Sequence, residues 1–165
     1  MLSDLKCTYW NIHGVSSKSL GDKTKNTDFL KVVQNTDILC LSELHTSKSI
    51  SVEGFSTKVQ KFREKNSSKI SGGIAVFIRH NLVKKFEIIK NSNPDSIWLK
   101  TTTEDDIVLH FGFFYCSPYR KQNDDFFDTI NDEISAYGKN SNTFIFGDFN
   151  GRTKTMSIAP ISMMS

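Results

Sequence analysis

Short apolar runs broken by polar punctuation dominate this chain, and sustained helical stripes are few. From Leu5 to Ile12, the residues Cys7, Tyr9 and Asn11 fall on one face of an extended segment and Thr8, Trp10 and Ile12 on the other. That alternation predicts a strand, which runs into His13-Gly14. A loop rich in Ser, Lys and Gly follows as far as Asn26. Asp28 to Asn35 then reads as a short helix, with Thr27 as its N-cap and Phe29, Leu30, Val32 and Val33 as its apolar contacts. Asp37 to Ser42 holds the continuous run Ile38-Leu39-Cys40-Leu41, the pattern of a strand covered on both faces, and Glu43 stands at its C-terminal end. A weaker strand is expected between Ser51 and Gln60, followed by a polar, basic turn region from Lys61 to Ser71.

Gly72-Gly73 punctuates the entry to Ile74-Ala75-Val76-Phe77-Ile78, a buried strand. Val83 to Lys90 and Ile97 to Thr102 also read as strands. The acidic turn Glu104-Asp105-Asp106 joins the second of these to the segment from Ile107 to Tyr115. That segment is apolar on both faces except at His110 and Gly112, so the hairpin should place it in the middle of a sheet. Asp124 to Tyr137 is the clearest helix. Phe126, Phe127, Ile130, Ile134 and Tyr137 form its stripe, and Asp124, Asp125 and Asp128 sit at the end where the helix dipole favours acids. Thr143 to Phe146 is a last strand that presents Gly147-Asp148-Phe149-Asn150 at its mouth. Beyond Arg152 no period and no cap remains, which divides the chain into a domain over residues 1–152 and an irregular tail over 153–165. Seven or eight strands with two good helices argue against a doubly wound sheet. They favour an α/β fold of two mixed β-sheets packed face to face, with helices outside.

Composition narrows this picture. A chain of 165 residues with 38% hydrophobic and 24% charged residues fits one folded domain and not a disordered tail. Thirteen Phe, four Tyr and two Trp point to a sheet-rich core. Twenty-one Lys and Arg against eighteen Asp and Glu leave +3, which by itself does not select a nucleic-acid partner. No apolar run approaches the roughly 20 residues that cross a bilayer, and Met1 to Lys6 carries no long apolar segment. The expectation is a chain without membrane association in a reducing compartment, nuclear or cytoplasmic. Cys7, Cys40 and Cys116 fall at wide spacing within apparent strands, as small buried hydrophobes do, and have neither metal-site nor disulfide spacing.

The chemistry lies at strand ends. Asn11, Glu43, Tyr115, Asp148 and Asn150 all sit at or just past the C-terminal end of an apolar strand. Each also has an ordinary reading: a local turn for Asp148-Phe149-Asn150 and for Asn11, a solvated end for Glu43, a core position for Tyr115. If their strands are neighbours, one rim gathers two carboxylates, two amides and a phenol. Carboxylate oxygens suit Mg²⁺, which keeps water and substrate phosphate as its other ligands. Amides and a phenol donate to phosphate oxygens without adding negative charge. This combination suits phosphodiester hydrolysis.

In order along the chain stand Tyr9-Trp10-Asn11-Ile12-His13-Gly14, Asp37-Ile38-Leu39-Cys40-Leu41-Ser42-Glu43, Gly72-Gly73-Ile74-Ala75-Val76-Phe77, Tyr115-Cys116-Ser117-Pro118 and Gly147-Asp148-Phe149-Asn150. Together they resemble the endonuclease/exonuclease/phosphatase superfamily, and most closely the endonuclease domains of non-LTR retrotransposons. The resemblance implies a four-layer α/β sandwich, incomplete here at the C-terminus, and Mg²⁺-dependent cleavage of DNA, with Mn²⁺ as the alternative ion. It implies that Glu43 binds the metal, that Asn11 serves the metal and phosphate site, and that Tyr115 contacts the phosphate or assists the leaving group. Asp148 would orient or activate the water, and Asn150 would steady the phosphate. The implied partner is DNA, held mainly by its phosphate backbone, with a further C-terminal segment or a reverse-transcriptase domain in a full-length parent.

The family's C-terminal portion carries a catalytic histidine that has no counterpart after Asn150, so a truncated chain with impaired nicking is expected. A catalytically inactive remnant that binds nucleic acid or a protein partner is the alternative. Locally, His13 stands where relatives often carry Asp or Asn, Leu44 interrupts the common Glu-Thr, and no Asn follows Pro118. His13 and His45 flank the supposed site, with His45 shaping its entrance, while His80 and His110 read as structural or solvated. Three basic clusters could touch phosphates: Lys58, Lys61, Arg63, Lys65 and Lys69 around Phe62; Lys18, Lys23 and Lys25; and Tyr119-Arg120-Lys121.

Overall fold

The structure is a computed structural model that describes residues 4–19, 21–62, 71–117, 124–138 and 142–150. Along the chain the elements are β1 (Cys7–Asn11), a short pair β2 (Ser16–Ser17) and β3 (Gly21–Asp22), α1 (Thr27–Val33), β4 (Ile38–Ser42), β5 (Phe55–Lys61), β6 (Ile74–Arg79), β7 (Glu87–Ile89), β8 (Ser96–Thr102), β9 (Val108–Tyr115), α2 (Asp124–Tyr137) and β10 (Asn142–Asp148). Two four-stranded sheets form, in the orders β1-β4-β6-β5 and β10-β9-β8-β7. Each is mixed: β1 runs parallel to β4 and β10 parallel to β9, and the remaining pairs are antiparallel.

Alternation along the strands sorts the side chains into layers. Between the sheets lie Ile38, Cys40, Ile74, Val76 and Ile78 from one and Ile97, Leu99, Phe111 and Phe113 from the other. The opposite face of the first sheet, Leu39, Leu41, Ala75 and Phe77, packs on Phe29 and Val33 of α1. The outer face of the second, Trp98 and Phe114, packs on Phe126 and Ile130 of α2. Helix, sheet, sheet, helix is the four-layer arrangement expected, and β9 is central as its two apolar faces required. Gly112 is part of that fit. A Cβ there would stand 2.8 Å from the Phe114 ring and 2.9 Å from the Trp98 indole.

Several local expectations are corrected. The cap of α1 is Asn26, whose side chain accepts from the Asp28 amide at 2.8 Å, so Thr27 is already helical. Val83–Lys85 is a 3-10 turn and only Glu87–Ile89 pairs as strand, because antiparallel pairing with β8 reaches no further than Lys100. The strand expected from Ser51 starts at Phe55, where pairing with Arg79 begins. Phe127 is half exposed and off the buried stripe of α2. Cys116 lies just past β9 and not within a strand; all three cysteines are thiols outside any disulfide, and burial pushes the Cys7 thiol up to about 12, with the Asp37 charge adding to it. The tail over 153–165 lies outside the described residues. Among the described residues no helix is long and apolar enough to cross a membrane.

One buried polar cluster ties three layers together. Glu133 of α2 accepts from Trp98 Nε1 at 2.7 Å, from Ser96 Oγ at 2.8 and 3.0 Å, and from the Asn91 and Asn93 amides at 3.1 and 3.0 Å. Lys61, at the end of β5, donates to the Asn91 and Asn93 carbonyls and to Asn91 Oδ1. Burial lowers the pKa of Lys61, and the charges of Glu133 and Asp95 oppose that shift. The loop before β8, held from both sides, passes its Asp95 carbonyl to the Tyr115 amide at 2.9 Å.

Candidate active site

Parallel neighbours send their C-terminal ends to one rim, and here this happens twice. Asn11 is level with Ser42 across β1 and β4, and Tyr115 is level with Asp148 across β9 and β10. The Tyr9 hydroxyl, pointing between the sheets, donates to the Phe114 carbonyl at 2.8 Å and bridges the two pairs. Their rims therefore meet.

Past the strands the backbone stays paired while it turns. Ile12, Gly14 and Val15 donate to the carbonyls of Ser42, Glu43 and Leu44. His13, Glu43, His45 and Asn150 all take left-handed backbone conformations, with φ of 48°, 54°, 49° and 43°. Such residues cost on the order of 1–3 kcal/mol each and persist where surrounding structure fixes them. The remaining non-glycine case among the described residues, Asp106, is in a hairpin turn.

The five expected site residues form one hydrogen-bonded chain. Tyr115 OH donates to Glu43 Oε1 at 3.0 Å, and His13 Nδ1 lies 2.9 Å from Glu43 Oε2. The His13 amide donates to Asn11 Oδ1 at 3.0 Å, and Asn11 Nδ2 donates to Asp148 Oδ2 at 2.7 Å. Asp148 Oδ1 accepts from the Asn150 amide at 3.1 Å, and Asn150 Nδ2 donates to the Cys116 carbonyl at 2.6 Å. The Cys116 amide closes the loop onto the Asp148 carbonyl at 2.8 Å. The Glu43 side chain is 11% exposed. Burial pushes its carboxyl up, but donors from Asn11, His13 and Tyr115, with the charge of His45, outweigh that and hold it below its ordinary value. Glu43 is thus an ionised carboxylate in a ring of donors. His45, its Nε2 3.8 Å from Glu43 Oε2, has its pKa lowered, first by burial and against the pull of Glu43.

This donor set decides what kind of ion fits. Among the described residues no group of three or more His, Cys, Asp or Glu side chains is gathered to hold a metal. A protein-only cage is therefore not built here. One ionised carboxylate beside an amide oxygen matches an ion that keeps its water and takes phosphate oxygens, as Mg²⁺ does. Glu43 would hold it, with Asn11 Oδ1 beside.

The basic clusters are less available than their sequence suggests. Lys23 Nζ donates to the Ile12 and His13 carbonyls at 2.8 and 3.1 Å and clamps the turn after β1. Lys58 and Lys61 are in β5, not in a loop; Lys58 donates to the Val83 carbonyl and Lys61 to the buried cluster. Lys25 lies 3.8 Å from Asp22. Arg63, Lys65, Lys69 and the segment Tyr119-Arg120-Lys121 lie outside the described residues. His80 meets Ser56 Oγ at 2.9 Å, away from this rim. The direct His13–Glu43 contact and the role of Glu133 were missed by sequence reasoning. For Glu133 a signal existed, since it sits between Ile130 and Ile134 on the buried side of α2, where a solvated acid is out of place.

A family model described as the Endonuclease/Exonuclease/phosphatase family matches residues 8–153. Among solved structures, an endonuclease/exonuclease/phosphatase family protein from Leptotrichia buccalis C-1013-b superposes with a TM-score of 0.61 at 15% identity. The superposition covers 89% of this chain and 67% of that one. No curated protein matches the chain.

Proposed function

The chain belongs to the endonuclease/exonuclease/phosphatase family, and on that premise we propose that it is a divalent-metal-dependent DNA endonuclease of the retrotransposon type, which nicks one strand. Members of this family commonly hydrolyse phosphodiesters with the help of a divalent metal. The observation that carries the finer reading is the unbroken hydrogen-bonded chain from Tyr115 through Glu43, His13 and Asn11 to Asp148 and Asn150. Four sequence-remote strand ends are joined in it.

A bound Mg²⁺ would supply charge neutralisation at the phosphate, held by Glu43 with Asn11 Oδ1 beside it. The protein's own groups do the rest. Asp148 is oriented from both oxygens, by Asn11 Nδ2 and by the Asn150 amide, which supports the reading that its carboxylate takes a proton from the attacking water. The water oxygen bonds to phosphorus as the bond to the 3′ oxygen breaks, leaving a 3′ hydroxyl and a 5′ phosphate. Tyr115 OH and Asn150 Nδ2 are the neutral donors nearest that charge, and each would exchange its present acceptor for a phosphate or leaving-group oxygen. DNA is engaged through its backbone.

The test is conversion of supercoiled plasmid to open circle in Mg²⁺, with wild type beside Glu43→Ala and Asp148→Ala. Wild type should nick, and each variant should fall by on the order of 10²-fold or more. Equal background from all three would overturn the reading.

A further inference from the structure

We propose that His13 is a second protein ligand of the ion at Glu43 and turns this site toward first-row transition ions and away from Mg²⁺. The inference rests on the metal-dependent reading above and adds to it which ion the site prefers. His13 Nδ1 stands 2.9 Å from Glu43 Oε2, the oxygen that faces away from Tyr115. A carboxylate oxygen accepts, so Nδ1 faces it in the donor orientation.

Two features show that the imidazole is aimed by the backbone and left free to adjust. Its side chain is 87% exposed, so packing does not fix it. The chain that carries it is fixed instead: Asn11 Oδ1 takes its amide, Lys23 Nζ grips its carbonyl, and its φ is 48°. The ring otherwise meets His45 edge to face at 5.7 Å.

The separation itself is informative. Two cis ligands on an octahedral ion with bonds of about 2.1 Å stand about 3.0 Å apart. Nδ1 and Oε2 are already at that spacing, so an ion can stand between them with little movement of either group, the Nδ1 proton passing to solvent while the solvent-exposed ring holds or takes up one proton at Nε2 and stays a neutral ligand. A site of carboxylate, amide oxygen and water suits hard ions such as Mg²⁺, whereas an imidazole nitrogen adds most to affinity for borderline first-row ions. One histidine therefore decides between the two classes.

Mn²⁺ is the probe, because its pulsed EPR spectrum reveals a directly bound nitrogen. The full chain would be titrated with Mn²⁺, and with Mg²⁺ in competition, as wild type, His13→Asn, His45→Asn and Glu43→Ala. Asn tolerates the left-handed backbone at position 13, so the turn should survive; circular dichroism checks this. Wild type and His45→Asn should show the nitrogen coupling, and His13→Asn should lose it. The preference for Mn²⁺ over Mg²⁺ should drop at least about tenfold in His13→Asn. No nitrogen coupling in wild type, or an unchanged ion preference in His13→Asn, would overturn the assignment while leaving Glu43 as a metal ligand. Mn²⁺ that fails to bind wild type, or that binds Glu43→Ala as well as wild type, would sink the metal reading and this inference with it.

Discussion

Replacing Glu133 with Ala should unfold a large part of this protein's stability margin. The carboxylate is 8% exposed and accepts from four groups: Trp98 Nε1, Ser96 Oγ and the amides of Asn91 and Asn93. Trp98 and Ser96 are fully buried, so their donors have no water to turn to. A hydrogen bond to a charged acceptor contributes about 1.5–3 kcal/mol, but four that share one carboxylate do not add. The closer analogue is removal of one partner from a buried charged set, which costs about 3–5 kcal/mol, because Lys61 keeps its ammonium in the same cluster. Against a total of roughly 5–15 kcal/mol for a domain, that is a fifth or more. Urea unfolding at neutral pH should show this loss, with the melting temperature lowered by roughly 6–20 °C. Glu133→Gln should lie between wild type and Glu133→Ala, since an amide oxygen can replace one acceptor while its NH₂ faces other donors. A loss below about 1 kcal/mol for Glu133→Ala would refute the reasoning, showing that the cluster is hydrated and replaceable.

Tyr115→Phe should cost about 1–2 kcal/mol by leaving Glu43 Oε1 without its hydroxyl donor, and should shift the acid limb of the stability profile upward in pH. Urea titrations from pH 3 to 7 read both effects. Gly112→Ala should destabilise by about 1–3 kcal/mol through overpacking against Trp98 and Phe114, with near-ultraviolet circular dichroism reporting the displaced indole. Stability should also fall with acid in two windows. Glu43 and His45 both have folded pKa values below their ordinary 4.5 and 6.5, so the unfolded chain binds more protons just below each of these. The first loss begins as pH falls below about 6.5 and should vanish in His45→Asn; the second begins below about 4.5 and should vanish in Glu43→Gln.

Much of the fold was legible because burial periodicity is local. The run Ile38-Leu39-Cys40-Leu41 has the pattern of a strand covered on both faces, and the stripe of Phe126, Phe127, Ile130, Ile134 and Tyr137 marked a helix, though Phe127 proved to lie off its buried side. The rim position of the candidate site residues was legible for a related reason. A polar group directly after an apolar strand must emerge at a sheet rim, so Asn11, Glu43, Tyr115, Asp148 and Asn150 could be named without knowing which rims meet. Element ends were less legible, since pairing sets them: β7 is short because of where β8 faces it.

By itself, then, the sequence determined the layers, the strands and the polar groups at their ends. Tertiary structure alone decided that β1 lies beside β4 and β10 beside β9, that the Tyr9 hydroxyl joins the two rims, and that His13 reaches Glu43. It also decided that Lys23 and Lys61 donate to backbone carbonyls of their own chain. The physical reason is range. Apolar spacing acts over a few residues of chain, whereas a hydrogen bond between residues 30 to 137 positions apart exists only once register and sheet packing have fixed both ends to within a few tenths of an ångström.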